Sequence, residues 1–150
     1  MEISKKLDYA LRMLAEVARA ESGQVVSVRQ VSENDSIPYA FARTIQHEMV
    51  KAGLLITTRG PHGGMKLAVN PDDITLRKIV EAIDGPMPGS RPADIEDELY
   101  TGQFGPLWKE LADVIYHYLE SVTLSQLAVE GLMPSAQGKL DFELVSLSEA

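Results

Sequence analysis

The chain has 150 residues, 45% of them hydrophobic, so it is long enough to bury one core and too apolar to be globally disordered. It has no cysteine, which excludes disulfides, thiolate metal sites and cysteine nucleophiles. Since it shows neither a signal-peptide pattern nor an apolar run of about 18 residues, we expect a cytoplasmic protein with no membrane partner.

The formal net charge of −8 is unevenly distributed along the chain. Residues 1–80 hold 11 Lys/Arg against 9 Asp/Glu, whereas residues 81–150 hold 3 against 13. This asymmetry indicates a near-neutral or basic working surface in the first half and an acidic second half kept away from it. The alternative is that the acids simply solvate the second half.

The first third of the chain has the periodicity of three helices. Apolar residues three or four positions apart predict a helix over 3–20, with one apolar face formed by Ile3, Leu7, Leu11, Leu14 and Ala18. Ser27 and Gln30 have capping-box spacing and predict a short helix that ends near Glu33. After a turn at 34–38, a second helix is predicted from Tyr39 to Lys51. Two short helices joined by a tight turn predict a helix-turn-helix.

A β-hairpin is predicted directly after this unit. Two short apolar runs, 54–56 and 65–68, flank a Gly/Pro-rich turn with Arg59 at its start. This pattern is typical of a wing beside a recognition helix, where a cation on a narrow ribbon can enter a DNA minor groove. The glycines faintly resemble a phosphate loop, but no Gly-Lys-Ser/Thr follows them, so we reject nucleotide binding.

Residues 70–130 predict three further helices and a loop. Thr75 caps a helix that has its apolar residues on one face and ends at Gly85. An exposed loop over 86–105 precedes a long helix that begins at Pro106, and Thr123 caps a last short helix.

The apolar stripe of the long helix has heptad-like spacing. It is either intramolecular core or a dimer seam. We favour the seam, with Trp108, Ile115 and Leu119 covering the winged domain. The predicted seam residues are Leu107, Leu111, Val114, Tyr118 and Val122.

Several segments together resemble the bacterial winged-helix regulators of the IscR, NsrR and CymR type, the Rrf2 family. These segments are 8–12 in the first helix, 51–54 leading into the wing at 59–64, 74–86, and Leu107-Trp108 with the long helix. The resemblance covers residues 1–130 and implies a homodimer that binds a roughly palindromic operator. Many members hold an iron–sulfur cluster through three cysteines before the long helix. This chain has none there, by nature or by replacement, so we expect no cofactor.

The predicted fold is mainly α with a small β-hairpin (α+β), a winged helix-turn-helix domain plus a long C-terminal dimerisation helix. The predicted divisions are a DNA-binding domain (1–85), an exposed sensor-type loop (86–105), a dimerisation helix region (106–130) and a flexible acidic tail (131–150).

Candidate DNA contacts come from the helix-turn-helix and the wing. Arg59 is predicted to enter the minor groove, the alternative being a surface arginine that solvates the hairpin. Arg43 is predicted to read guanine, with pairing to His47 or a phosphate contact left equally open. Phe41, Ile45 and Met49 are predicted to be core. The predicted set is Ser27, Arg29, Gln30, Tyr39, Ala40, Arg43, Thr44, His47, Arg59, Gly60, His62, Gly63 and Gly64.

No catalytic or metal-binding residues are predicted. The three histidines are scattered, and Asp8, which could join a metal site across a dimer, has no thiolate partner and is expected in a surface or helix-pairing contact. The predicted function is a sequence-specific transcription regulator, a homodimeric repressor of double-stranded DNA with an unknown small-molecule or protein signal, and not an enzyme. The alternative is a winged-helix dimer that serves as a protein-interaction or ligand-sensing module without DNA binding.

Overall fold

A computed structural model of the chain describes residues 3–87 and 97–129. The predicted tail at 131–150 and positions 88–96 of the predicted loop lie outside these residues. The described part confirms a mainly helical fold with one hairpin. Its elements are α1 (Lys5–Arg19), α2 (Val28–Asn34), α3 (Tyr39–Lys51), β1 (Leu55–Thr58), β2 (Gly64–Leu67), a 3-10 turn (Pro71–Asp73), α4 (Leu76–Asp84), α5 (Glu98–Thr101), α6 (Gly105–Ser121) and α7 (Leu124–Ala128).

Helix α1 forms the central support of the core. It begins where the Ser4 side chain accepts a hydrogen bond from the Leu7 N–H at 3.1 Å, which satisfies one of the free donors of the first turn. Its buried residues include Leu7, Ala10, Met13, Leu14 and Val17. The prediction was wrong for Ile3, which is 76% exposed because it precedes the cap and lies outside the helix.

Helices α2 and α3 form the predicted helix-turn-helix. In the turn between them, Ser36 has a φ of 53°, and the Ser32 hydroxyl donates to the Ile37 carbonyl at 2.6 Å. Ala42, Ile45 and Met49 of α3 are fully buried. Phe41 was predicted to be core but is 49% exposed. It lies at the edge of the buried side of α3, where its ring meets Tyr9 of α1 edge-on.

The two strands form an antiparallel hairpin in which Leu55 lies opposite Leu67 and Thr58 opposite Gly64. Val26, in the connection between α1 and α2, exchanges both backbone hydrogen bonds with Met65, at 2.8 and 2.7 Å. This third extended segment pairs with β2 at Met65, so the strand that leads from the wing tip is attached to the helical part of the chain.

The end of α6 and the start of α7 return to the winged core. The Leu76 N–H donates to the Val122 carbonyl and the Leu124 N–H donates to the Ile74 carbonyl, both at 2.8 Å. Thr123 and Gln126 form a reciprocal capping box, which confirms the predicted cap of the last helix. No helix in the described ranges is long and apolar enough to cross a membrane.

The predicted seam of α6 divides into two parts. Val122 is only 1% exposed, so its assignment to the seam is wrong; the chain turns into the core at this point. Tyr118 packs against the same core, as do Leu119 and Ile115, whose core-facing role was predicted. Near the start of α6, the seam residues Leu107 and Leu111 are 53% and 49% exposed. Trp108 at 39% is also exposed, which contradicts its predicted role in covering the winged domain.

Candidate nucleic-acid interface

Helix α3 has one buried side and one exposed side. Because positions 42, 45 and 49 point into the core, the residues about half a turn away from them face outward. Five predicted contact residues are exposed there, namely Tyr39, Ala40, Arg43, Thr44 and His47. The structure therefore brings these predicted residues onto one surface.

The start of α2 lies beside the start of α3. The Arg29 guanidinium is 4.6 Å from the centroid of the Tyr39 ring, a cation–π contact that joins the two helices. The Ser27 side chain accepts the Gln30 N–H at 3.5 Å as the helix cap, and its O–H proton can still be donated to an anion. Arg29 and Gln30 are exposed. These groups form a polar edge beside the exposed side of α3.

The tip of the wing is a tight turn. The Gly63 N–H donates to the Gly60 carbonyl at 2.9 Å, and Gly60 has a φ of 111°, a conformation that favours glycine. Arg59, Gly60 and His62 are exposed at this tip.

Gly63 and Gly64 are expected from the sequence to give the turn backbone freedom, and the structure adds that neither position has room for a side chain. A Cβ atom on Gly63 would lie 2.1 Å from the Thr58 carbonyl oxygen, and one on Gly64 would lie 2.7 Å from the Val26 carbonyl oxygen. The wing therefore needs glycine at both positions in order to fold. Their predicted phosphate contact stays a prediction.

The charge of this surface is positive. Residues 27–69 hold five Lys/Arg against three Asp/Glu. Arg43 and Arg59 form no hydrogen bond or ion pair with any other described residue, and the same holds for Lys51 and Lys66. Glu48 is directed away from the surface and pairs with Lys6 of α1 at 2.6 Å.

Lys51 and Lys66 were missed in the sequence analysis. Lys51 is exposed and Lys66 half-buried, and they lie on the same helix and wing as Arg43 and Arg59. Their position on elements already predicted to meet DNA is the signal that could have found them.

Asp8 forms an ion pair with Arg12, one turn later in α1, at 2.6 Å. This surface contact is the role that the sequence favoured over metal binding. Within 3–87 and 97–129, no group of three or more His, Cys, Asp or Glu side chains is placed to hold a metal ion.

An exposed helix of a helix-turn-helix beside a cationic wing is the arrangement of a winged-helix DNA-binding head. Residues 3–130 match the Rrf2 family, described as iron-dependent transcriptional regulators. The chain belongs to the Rrf2 family. It is accordingly a DNA-binding transcription regulator and not an enzyme.

Two relatives and one solved structure illustrate the similarity. The regulator CymR of Bacillus subtilis is 29% identical over 129 residues, which cover 85% of this chain and 90% of CymR. The regulator IscR of Aliivibrio salmonicida is 26% identical over 136 residues, covering 87% of this chain and 79% of IscR. The structure of CymR, the global cysteine regulator of B. subtilis, has a TM-score of 0.70 at 26% identity and covers 85% of this chain and 96% of that one.

The family is described as iron-dependent, but this chain has no cysteine thiolates that could hold an iron–sulfur cluster. Iron–sulfur clusters are held mainly by cysteine thiolates, and these 150 residues contain no cysteine.

Proposed function

We propose that the chain is a homodimeric repressor that binds a palindromic operator, with recognition helix 39–51 in the major groove and wing 55–68 in the minor groove. The observations that carry this proposal are the exposed side of α3 and an exposed wing tip, each with an arginine. These arginines have no partner among the described residues. Cations that are not neutralised within the protein can neutralise phosphates and release their counterions.

Each part of the proposed interface has a distinct task. Arg43, exposed near the middle of α3, is suited to bidentate hydrogen bonding with guanine. Arg59, at the tip of the wing, is suited to a narrow minor groove, where the potential is most negative. Ser27, Arg29 and Gln30 at the start of α2 are suited to phosphate, because helix N-termini and hydroxyl groups favour anions.

The dimer is supported by exposed apolar side chains on α5, on the first half of α6 and at the residue before α6. Clustered large apolar residues on a soluble protein mark an interaction surface. They are Leu99, Phe104, Leu107, Trp108 and Leu111. A second copy that covers them would form a two-fold dimer, which requires a palindromic site whose half-sites lie about one DNA turn (~34 Å) or a multiple of it apart.

The signal is proposed to be a small molecule or a protein, acting without a cysteine-ligated cofactor. It would alter the spacing of the two heads through the loop 86–105 and α6, which changes affinity for an operator of fixed spacing. We propose that this occurs in the cytoplasm and that the bound dimer represses transcription.

The test is binding-site selection from genomic DNA fragments with the wild-type chain, Arg59→Ala and a control, Arg19→Ala. Arg19 is an exposed arginine whose side chain donates to the Ala128 carbonyl of α7 at 2.7 Å. We expect a palindromic footprint for the wild type and for the control, and a much weaker one for Arg59→Ala. Wild-type affinity should fall by about 10³-fold between 50 and 200 mM salt if the dimer contacts about six phosphates.

A folded dimer that enriches no sequence at low salt would contradict the proposal. It would favour the alternative of an interaction module without DNA binding. Repression is tested separately by a reporter placed behind the selected operator, where an increase in expression on adding the protein would contradict it.

A further inference from the structure

The exposed side of α3 presents apolar groups in its first two turns. Phe41 is 49% exposed, and its ring meets the ring of Tyr9 edge-on, with centroids 6.1 Å apart. Ala40, which precedes it, is also exposed. An exposed phenylalanine on this helix is available for an apolar contact, which would remove part of its ring from water.

Thr44 belongs to the same apolar group. Its hydroxyl donates to the Ala40 carbonyl of the preceding turn at 3.0 Å, so the proton of this hydroxyl is already used within the helix. What it can still offer a ligand is its γ-methyl group and the acceptor lone pairs of the hydroxyl oxygen. Ala40, Phe41 and Thr44 thus offer carbon rather than hydrogen-bond donors, and Arg43 lies among them in sequence.

Thymine is the base that carries a methyl group in the major groove, and alanine, threonine methyl and phenylalanine are side chains that contact it. The N-terminal part of a recognition helix is the part that reaches base edges. We propose that α3 reads thymine methyl groups in each half-site through Ala40, Phe41 and Thr44, beside a base read by Arg43. This inference rests on the proposed function and specifies the DNA sequence class that the surface takes.

The three apolar residues occupy different positions around α3, so we expect them to contact different bases. Ala40 and Thr44 are one turn apart on the exposed side, whereas Phe41 lies toward α1, where Tyr9 holds its ring. We therefore expect Phe41 to contact a thymine at one edge of the half-site, and Thr44 to contact one nearer to the base of Arg43.

The experiment uses the full chain and the operator returned by binding-site selection. Each thymine of a half-site is replaced singly by uracil, which keeps every hydrogen-bonding group and removes one methyl. At two or more positions the wild-type affinity should fall about fourfold, the loss expected for one buried methyl-sized group. Phe41→Ala should bind the thymine and uracil versions of one of these positions equally.

A matched pair of variants tests Thr44. Thr44→Val keeps a methyl group in place and removes the hydroxyl, so it should retain discrimination against uracil. Thr44→Ser keeps the hydroxyl and removes the methyl, so it should lose discrimination at one position. Both changes are small and exposed, which keeps the test informative even if Phe41→Ala fails to fold.

The outcomes separate the two proposals. A selected palindrome that contains no thymine in its half-sites, or that binds equally well with uracil throughout, would overturn the methyl readout and leave the DNA-binding proposal standing. The same holds if Thr44→Val and Thr44→Ser discriminate identically. A folded dimer that selects no sequence would overturn the proposed function itself.

Discussion

Two regions of the molecule use arginine in opposite ways. At the junction of α4 and α6, Arg77 donates to Glu81 at 2.8 Å, forms a second ion pair with Glu120, and lies 5.2 Å from the centroid of the Tyr116 ring. On the proposed interface, Arg43 and Arg59 are exposed and have no partner among the described residues. The same side chain is thus neutralised in one region and left available in the other.

The difference separates stability from binding. Arg77 joins two helices, so its contacts are lost on unfolding and it contributes to the free energy of folding. Arg43 and Arg59 give up no hydrogen bond or ion pair with a described residue when they approach phosphate or base edges. Their charge is therefore available for association, and their removal leaves the folded state almost unchanged.

The double change Arg43→Ala with Arg59→Ala tests whether these arginines act in binding and not in stability. Each arginine is expected to contribute about 1–3 kcal/mol to operator binding, so the pair should lower affinity by about 30-fold or more. The thermal unfolding midpoint should not move. Titration of a selected operator at fixed salt, together with thermal unfolding, measures both, and a large fall in the midpoint would show that these side chains support the fold.

The wing offers a second test, because its glycines position Arg59. Gly63→Ala places a Cβ atom against the Thr58 carbonyl oxygen, so the tip must rearrange at a cost of about 1–3 kcal/mol, and operator affinity should fall with it. Gly60→Ala should also lower stability, for a different reason: its added atom meets open space, but alanine is strained at a φ of 111°. A Gly63→Ala variant with unchanged stability and operator affinity would contradict this account of the wing.

At the α4–α6 junction we expect the opposite pattern, in which stability falls and operator affinity hardly changes. Arg77→Met keeps much of the aliphatic stem but leaves Glu81 and Glu120 unpaired, which should cost about 1–2 kcal/mol and lower the unfolding midpoint by several degrees. Operator affinity measured below that midpoint should change by less than about twofold, since the affected contacts lie away from the interface. Arg43→Met is the matched control, with the opposite pattern expected. A loss of affinity in Arg77→Met at full folding would show that the junction also positions the heads.

Much of the fold could be predicted because its determinants are local. The bounds of α3, at Tyr39 and Lys51, and the caps at Ser27, Thr75 and Thr123 depend on neighbours within four residues. The same is true of the turn that presents Arg59.

Apart from Ile3, which precedes the cap of α1, the failed predictions depend on tertiary contacts. Periodicity placed Phe41 in the core and Val122 on the seam, yet whether a helix position is buried depends on which element covers it. Tyr9 of α1 meets the Phe41 ring edge-on and leaves it half exposed. Val122 is buried because the chain returns to the core there and pairs with the segment at Ile74. Heptad-like spacing does not specify where a long helix leaves the domain. The two roles of the glycines, folding the wing and approaching DNA, are likewise indistinguishable in sequence.

The smallest effect on stability is expected at a carboxylate near the helix-turn-helix. Glu16 of α1 is half-buried, and its Oε1 accepts from the Asn34 amide at 3.1 Å, beside the turn of the helix-turn-helix. Burial raises the pKa of Glu16 above its ordinary value of 4.5, and the hydrogen bond and negative charge of Asp35 add to the rise, while Asn34 and Arg19 oppose it.

The sign of the stability effect follows from proton binding. Between 4.5 and the raised pKa of Glu16, the folded chain holds more protons than the unfolded chain, so this group makes stability fall as pH rises through that window. Glu16→Gln keeps an acceptor for Asn34 and carries no charge. It should therefore raise the unfolding midpoint at pH 7 and bring little gain at pH 4, where Glu16 itself is largely protonated in the folded chain. Solvent screening keeps the gain small. Glu33→Gln, at an exposed position of α2, is the control, and an equal gain from Glu16→Gln at both pH values would show that charge at Glu16 is not the cause.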